Sequence, residues 1–233
     1  MKIKAATVVI TILGLIFLTL VATSGFTVVK IEDAQKAVQS EAFDPVSFVN
    51  GIWDSKLIPA FDAKAVDLAT VLGEMNVNPD GTITKEDLTS VTSKNGLITV
   101  GESHVYEVKG SGKIVNVNTD TSLGTVEVTL DGYQGPVKVL LYIGPRIPSD
   151  ETSVRDAVGF ISFGDFKEQT EFGKVASEIN KRVLSDVLGG LDRGSLLGES
   201  ISFKGAFSIR TFNLLQIDLK EIRIVPVVLK LGE

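Results

Sequence analysis

The chain has no cysteine, one histidine, one tryptophan and two methionines in 233 residues. Without cysteine there is no disulfide framework, no thiolate-bound zinc or iron–sulfur cluster, no thiol nucleophile and no sulfur to carry a lipid. With His104 as its only histidine, the chain lacks a multi-histidine metal centre. A lone histidine at the start of a strand pattern is expected at the surface or at a sheet edge. Positive charge is also short: 23 Lys and Arg stand against 29 Asp and Glu, a net charge of −6. Lys2 and Lys4 lie at the extreme N-terminus, so the remainder is more acidic still. Such a body repels phosphate backbones, and no nucleic-acid partner is expected. Internal repeats and low-complexity tracts are absent, and no cofactor motif stands out.

What the chain does have is one long apolar run. Ala5 to Val29 carries no charge, with Lys2 and Lys4 before it and Glu32 and Asp33 after it. As a helix it would span about 37 Å, enough for a bilayer. The charge bias puts the N-terminus inside and the rest outside. Two readings stand: a single-pass anchor in the cell membrane, or a signal segment cleaved near Ala22-Thr23-Ser24 to release a secreted or periplasmic body. Either way the folded part is expected to be extracytoplasmic. Residues 1–29 are thus the membrane segment, and the polar stretch 30–43 reads as a stalk.

Residues 44–100 read as a helical arm. Asp44 can cap a helix with Pro45 in its first turn, and Phe48, Val49, Ile52 and Trp53 share one face. Pro59 is expected to disturb or end that helix, and Asp62 to cap a second one carrying Val66, Ala69, Leu72 and Met75. From residue 101 the texture is β-rich with period-two alternation. Strands are expected at about 103–118, 124–132 and 136–144. A long helix follows with Phe172, Val175, Ala176, Ile179, Val183 and Val187 on its apolar face. Asp165 and Glu168 have cap-box spacing ahead of it, and Gly189 and Gly190 are expected to end it in left-handed geometry. Two last strands lie in "ESISFKGAFSIR" and "KEIRIVPVVLKL", the latter at an edge or bulged because of Pro226. Three strands, a helix and two strands is the order of an OB-like five-stranded antiparallel barrel. The expected class is therefore α+β, with residues 101–233 forming the barrel and its long helix between the third and fourth strands.

Three stretches invite chemistry. "NVNPDGTITKED" sets Asn76, Asn78, Asp80, Thr82 and Asp87 at the ligand positions of a calcium loop, with Gly81 and Ile83 in their places. Few of these ligands are charged and no second loop exists, so the competing reading is a turn in which Thr84 and Asp87 cap a short helix. "VKGSGKIV" lacks the first glycine and the final Ser/Thr of a phosphate loop and continues a strand pattern. "RDAVGFISFGDFKEQTEF" is the densest feature: Phe160, Phe163, Phe166 and Phe172 are four of the twelve phenylalanines. Arg155, Asp156, Asp165 and Gln169 accompany them. Aromatic walls with a few polar groups hold small polar ligands; equally, the rings can seat the long helix on the sheet. Arg155, Asp156, Phe163, Asp165 and Gln169, with Trp53 as a further aromatic partner, form the candidate ligand or partner contact. No two carboxylates are marked as a hydrolytic pair.

The ordered segments "FDPVSFVNGIWDSKLIPAF", "GSGKIVNVN", "VLLYIGPRI", "SVRDAVGFISFGDFKEQTEFGKVASEIN" and "ISFKGAF" resemble a bacterial family of predicted periplasmic lipoproteins of unknown function. Its members are commonly encoded beside ABC-type sugar-uptake genes. The resemblance implies a role in carbohydrate uptake, with ABC sugar transporter components as partners, and carries over no catalytic residue. This chain departs from the family's name where the lipid-bearing cysteine would fall, at Ala22-Thr23-Ser24-Gly25. The expected function is a non-enzymatic, membrane-anchored accessory of sugar transport. The alternatives are a stand-alone sugar- or glycan-binding module and an envelope hydrolase.

Overall fold

Asp44 starts the first helix by accepting a hydrogen bond from the Val46 amide at 3.0 Å, with Pro45 in the first helical position. A missing N–H costs nothing there. The computed structural model describes Lys30 and residues 43–99 and 101–232. The expected membrane segment, and all of the stalk but Lys30 and Phe43, lie outside them. Among the described residues no helix is long and apolar enough to cross a membrane. Helix α1 (Pro45–Ile52) widens into a π turn at Trp53–Leu57 and resumes as α2 (Ile58–Lys64). Pro59 sits just past the wide turn, so the helix continues through it instead of ending. Asp62 is no cap; it lies inside α2 and pairs with Lys204. Asp67 caps instead, accepting from the Thr70 amide at 2.8 Å, and ends the two-residue strand β1 (Val66–Asp67) ahead of α3 (Leu68–Met75). Strand β2 (Thr82–Thr84), α4 (Lys85–Asn95) and β3 (Leu97–Ile98) complete this half.

The β-rich half follows its alternation closely. Strands β4 (Ser103–Asn118), β5 (Thr125–Leu130) and β6 (Lys138–Tyr142) come first. Then come the short helix α5 (Ser153–Ala157), a 3₁₀ turn at Phe163–Asp165, and α6 (Gln169–Arg182) with a π extension at Val183–Val187. Strands β7 (Ser200–Arg210), β8 (Gln216–Asp218) and β9 (Glu221–Leu231) finish the chain. The first half of β4 pairs with β7 and the second half with β5; β5 pairs with β6, β6 with β9, and β9 with β7.

One expectation is corrected here. The sheet is neither five-stranded nor purely antiparallel: it has seven strands, because β1 and β3 join β4 along its first half. The β6–β9 and β1–β4 pairings are parallel. A parallel neighbour needs a long connection between its strands, and the chain between β6 and β9, carrying α5, α6 and β7, supplies one. The helical arm is not set apart either: residues 44–233 form one compact unit, with the expected boundary at 100/101 inside it.

Close packing explains the bends. A Cβ on Gly112 would lie 2.2 Å from the Thr129 carbonyl oxygen; only glycine lets β4 pass this near β5 while it changes neighbours. Pro226 lies where β9 leaves β6 for β7, beside a register shift at Lys204/Gly205. The bulge expectation holds and the edge one does not. Val126, Val128 and Leu130 turn into the core with Val108, Ile114, Leu141, Phe203 and Ile224, and α3 and α4 add Leu72, Met75, Leu88 and Val91. Helix α6 packs on α1 and α5 through Val175, Ala176 and Ile179. Its end differs from expectation: neither Gly189 nor Gly190 takes a left-handed φ, because the π turn has already reoriented the last carbonyls.

His104 is also corrected. It is 2% exposed, not a surface residue, because it shares the core face of β4 with Tyr106, where Thr92 of α4 packs over it. Its Nδ1 lies 3.1 Å from the Thr92 hydroxyl, which also contacts the Tyr106 hydroxyl and donates to the Leu88 carbonyl. Burial and nearby Lys85 lower its pKa, so it is a neutral member of a buried network.

Candidate functional site

Three elements meet at the α5 end of the sheet: the β3–β4 hairpin, the α5 turn and the N-terminal end of α6. The hairpin is pinned by the Thr99 amide on the Ser103 carbonyl and the Glu102 amide on the Thr99 carbonyl. The Ser153 hydroxyl anchors α5 to the Ala206 carbonyl of β7. Between them lies a hollow of about 540 Å³ lined by Leu97, Ile98, Arg155, Asp156, Phe163 and Phe172, among others.

Arg155 is nearly buried, and each of its three side-chain nitrogens has a partner. Its Nε and terminal nitrogen reach Asp156 Oδ1 at 2.8 and 2.7 Å, and the other terminal nitrogen donates to the Phe172 carbonyl at 3.0 Å. The guanidinium carbon stands 3.6 Å over the Phe172 ring. Asp156 Oδ2 accepts from the Thr152 hydroxyl at 2.7 Å. A buried pair persists only when its remaining polar atoms are matched this way. The pair is a brace between α5 and α6. The large side chains the hollow exposes are apolar: Leu97, Ile98 and Phe163 are 44%, 47% and 55% exposed, with Ser162 and Thr99 between them.

The phenylalanines do seat the helix. Phe172 packs on Phe163 and Phe166, at 5.8 and 5.6 Å between centroids, and Phe166 on Phe48 of α1 at 5.6 Å. The structure thus gathers Arg155, Asp156 and Phe163, and leaves three expected residues out. Trp53 is buried beneath Arg182, its ring 4.9 Å from the guanidinium. Arg182 lies ten residues along α6 from Phe172, about 15 Å of helix. Asp165 closes its own turn, accepting from the Ser162 amide at 2.9 Å, while Glu168 and Glu171 form the box that opens α6. Gln169 is exposed on the first turn of α6 and does not line the hollow.

A second hollow, of about 430 Å³, shares Leu97 and Gly159 with the first. Its walls include Lys64, Lys94, Asn95, Glu107 and Phe160. Glu107 is the residue that sequence reasoning missed. It is 8% exposed, and its Oε1 has no hydrogen-bond partner among the described residues. Burial pushes its carboxyl up to about 7, against the pull of Lys64. Lys94 and Asn95 are held by Glu74. The signal was a charge set within the apolar run "HVYEV", on a strand covered on both faces.

The calcium-loop residues form a capped turn. Asn76 is the left-handed cap of α3 (φ 48°) and Gly81 has φ 82°. The Asn78 amide donates to the Thr82 hydroxyl, and Asp80 Oδ1 accepts from the Thr82 amide at 3.0 Å and hydroxyl at 2.7 Å. Asp87 accepts from the Thr84 hydroxyl while its amide donates back. Ile83 is buried and pairs with Ile217. Among the described residues no three His, Cys, Asp or Glu side chains are grouped to hold a metal ion.

A family model described as predicted periplasmic lipoprotein (DUF2291) matches residues 16–230. The chain belongs to that family. A periplasmic family fits an extracytoplasmic body. No curated protein matches the chain. Among solved structures, the crystal structure of an OB-fold protein from Thermotoga maritima is similar, with a TM-score of 0.61 and 20% identity over 82% of this chain and 99% of that one. At that identity the likeness concerns the fold, which this periplasmic-family chain shares in its mixed α+β form.

Proposed function

We propose that the protein is a non-enzymatic accessory of carbohydrate uptake, held at the outer face of the cell membrane by its N-terminal segment and acting by contact with an ABC sugar transporter component. One observation carries the contact reading: Arg155 and Asp156 are matched to each other, so the first hollow offers partners an apolar rim of Leu97, Ile98 and Phe163. Exposed apolar residues gathered around a depression are how protein docking surfaces are built. The carbohydrate assignment rests on the family resemblance. The non-enzymatic part of the proposal is supported by the same rim, whose carboxylate is engaged by Arg155 and Thr152.

The test is affinity capture of the full-length, detergent-solubilised protein from its own cells grown on several sugars. Transport components are expected with the wild type and are expected to fall at least tenfold with Phe163→Ser combined with Leu97→Ser. Both side chains are exposed, so the fold should survive. Recovery of no transport component on any sugar would remove the accessory role. The stand-alone binding module is favoured by a different observation, the unpartnered Glu107.

A further inference from the structure

Glu107 sits on β4 opposite Ala206 of β7, with its carboxyl in the second hollow. Buried polar atoms in native proteins are almost always matched, and an unmatched one calls for an explanation. Glu107 accepts hydrogen bonds when ionised and can also donate one when it holds its proton, so a group that both donates and accepts completes it in either state. Four kinds of partner can be weighed. A metal ion would need further ligands, and the described residues group none. A cationic ligand would meet Lys64 and Lys94, the other charged groups facing the hollow, one from α2 and one from α4. An anion would meet Glu107 itself, while Lys94 is already held by Glu74. A neutral hydroxyl donor meets no such opposition.

The rest of the wall agrees. Phe160 is partly exposed at the rim beside Leu97, an apolar face suited to stacking against C–H groups. The volume, about 430 Å³, lies within the range of small-molecule sites. We propose that this hollow binds a neutral polyhydroxylated molecule of monosaccharide size, with Glu107 accepting its hydroxyls and Phe160 covering its apolar side. The two hollows share Leu97 and Gly159, but Glu107 and Phe160 line only this one and Phe163 only the other, so substitutions there test the two readings separately.

The experiment uses the full-length protein in detergent and reads melting temperature and calorimetric affinity. The probes are glucose, galactose, mannose, xylose, ribose and myo-inositol, with spermidine as the cationic control. At least one neutral probe is expected to bind and raise the melting temperature, and spermidine is not. Glu107→Gln should weaken binding about tenfold and Glu107→Leu should abolish it, since charged acceptors make the stronger hydrogen bonds. The leucine variant also guards against misfolding: filling the place of an unmatched buried carboxylate, it should melt no lower than the wild type. Phe160→Ala should weaken binding about tenfold. Binding by none of the neutral probes, binding of spermidine alone, or unchanged affinity in a folded Glu107→Leu variant would each overturn the assignment. Phe163→Ser alone, at a residue that lines only the first hollow, should leave the two separable: loss of capture with retained sugar binding dissociates the two surfaces.

Discussion

At the scale of single residues, Glu107 and His104 show why a strand pattern can mislead. Both lie in "HVYEV", where alternation would put every second side chain in water. His104 turns to the core face under α4, and Glu107 to the opposite face beside α2 and α5, so residues 104–108 are all buried. The charge inside an apolar run hints at burial, but nothing local says which distant elements supply the cover. The Glu107 carboxyl has a measurable consequence. Its pKa is raised to about 7 by burial, whereas an unfolded glutamate ionises near about 4.3. The folded state keeps a proton that the unfolded chain gives up. Its contribution to stability is therefore full below about pH 4.3 and is lost as pH rises through about 7. The loss is at most on the order of 4 kcal/mol. Urea midpoints of the wild type should thus fall, relative to those of Glu107→Gln, between pH 5 and pH 8. Parallel pH profiles for the two proteins would show that the carboxyl is hydrated after all.

At the scale of elements, caps and alternation were readable while partner choices were not. Asp44 with Pro45, and Thr84 with Asp87, cap helices as their spacing implies, since each cap needs only residues within one turn. Asp62 and Asp165 looked equally able, but a π turn and a 3₁₀ turn moved the true starts to Asp67 and Glu168. Two substitutions probe this level. Arg155→Ala should cost about 3–5 kcal/mol, because it leaves Asp156 half-buried and unpaired and uncovers Phe172; urea denaturation measures it, and a loss below about 1 kcal/mol would mean the brace is weak. Thr84→Ala should cost about 1 kcal/mol through its cap. Millimolar Ca²⁺ should leave the melting temperature of the wild type unmoved, because the side chains of Asp80 and Asp87 are taken up within the turn.

At the scale of the whole molecule, strand order and helix position were legible because alternation and glycine breaks mark them locally. The mixed direction of the sheet was not, since whether β9 meets β6 parallel depends on where the connecting helices pass. Of the candidate site, Arg155, Asp156 and Phe163 converge because the first two are neighbours on α5 and only the short stretch 157–162 separates them from the third. Trp53 was drawn to the wrong end of α6 for want of any marker of register between two helices. The extracytoplasmic reading has its own check. Protease added outside intact spheroplasts should digest the body while a cytoplasmic marker survives; a protected body would reverse the assigned orientation.

Strand β4 lies inside the sheet: β3 and β1 meet it at His104, Val105, Val108 and Lys109, β7 lies along Ser103–Lys113 and β5 along Gly112–Asn118. Freeing the amides at its middle requires β7 or β5, both long or central strands, to be displaced. Hydrogen–deuterium exchange along Tyr106–Ile114 should therefore be the slowest in the protein and should report global unfolding alone. The two-residue strands β1 and β3 should exchange orders of magnitude faster.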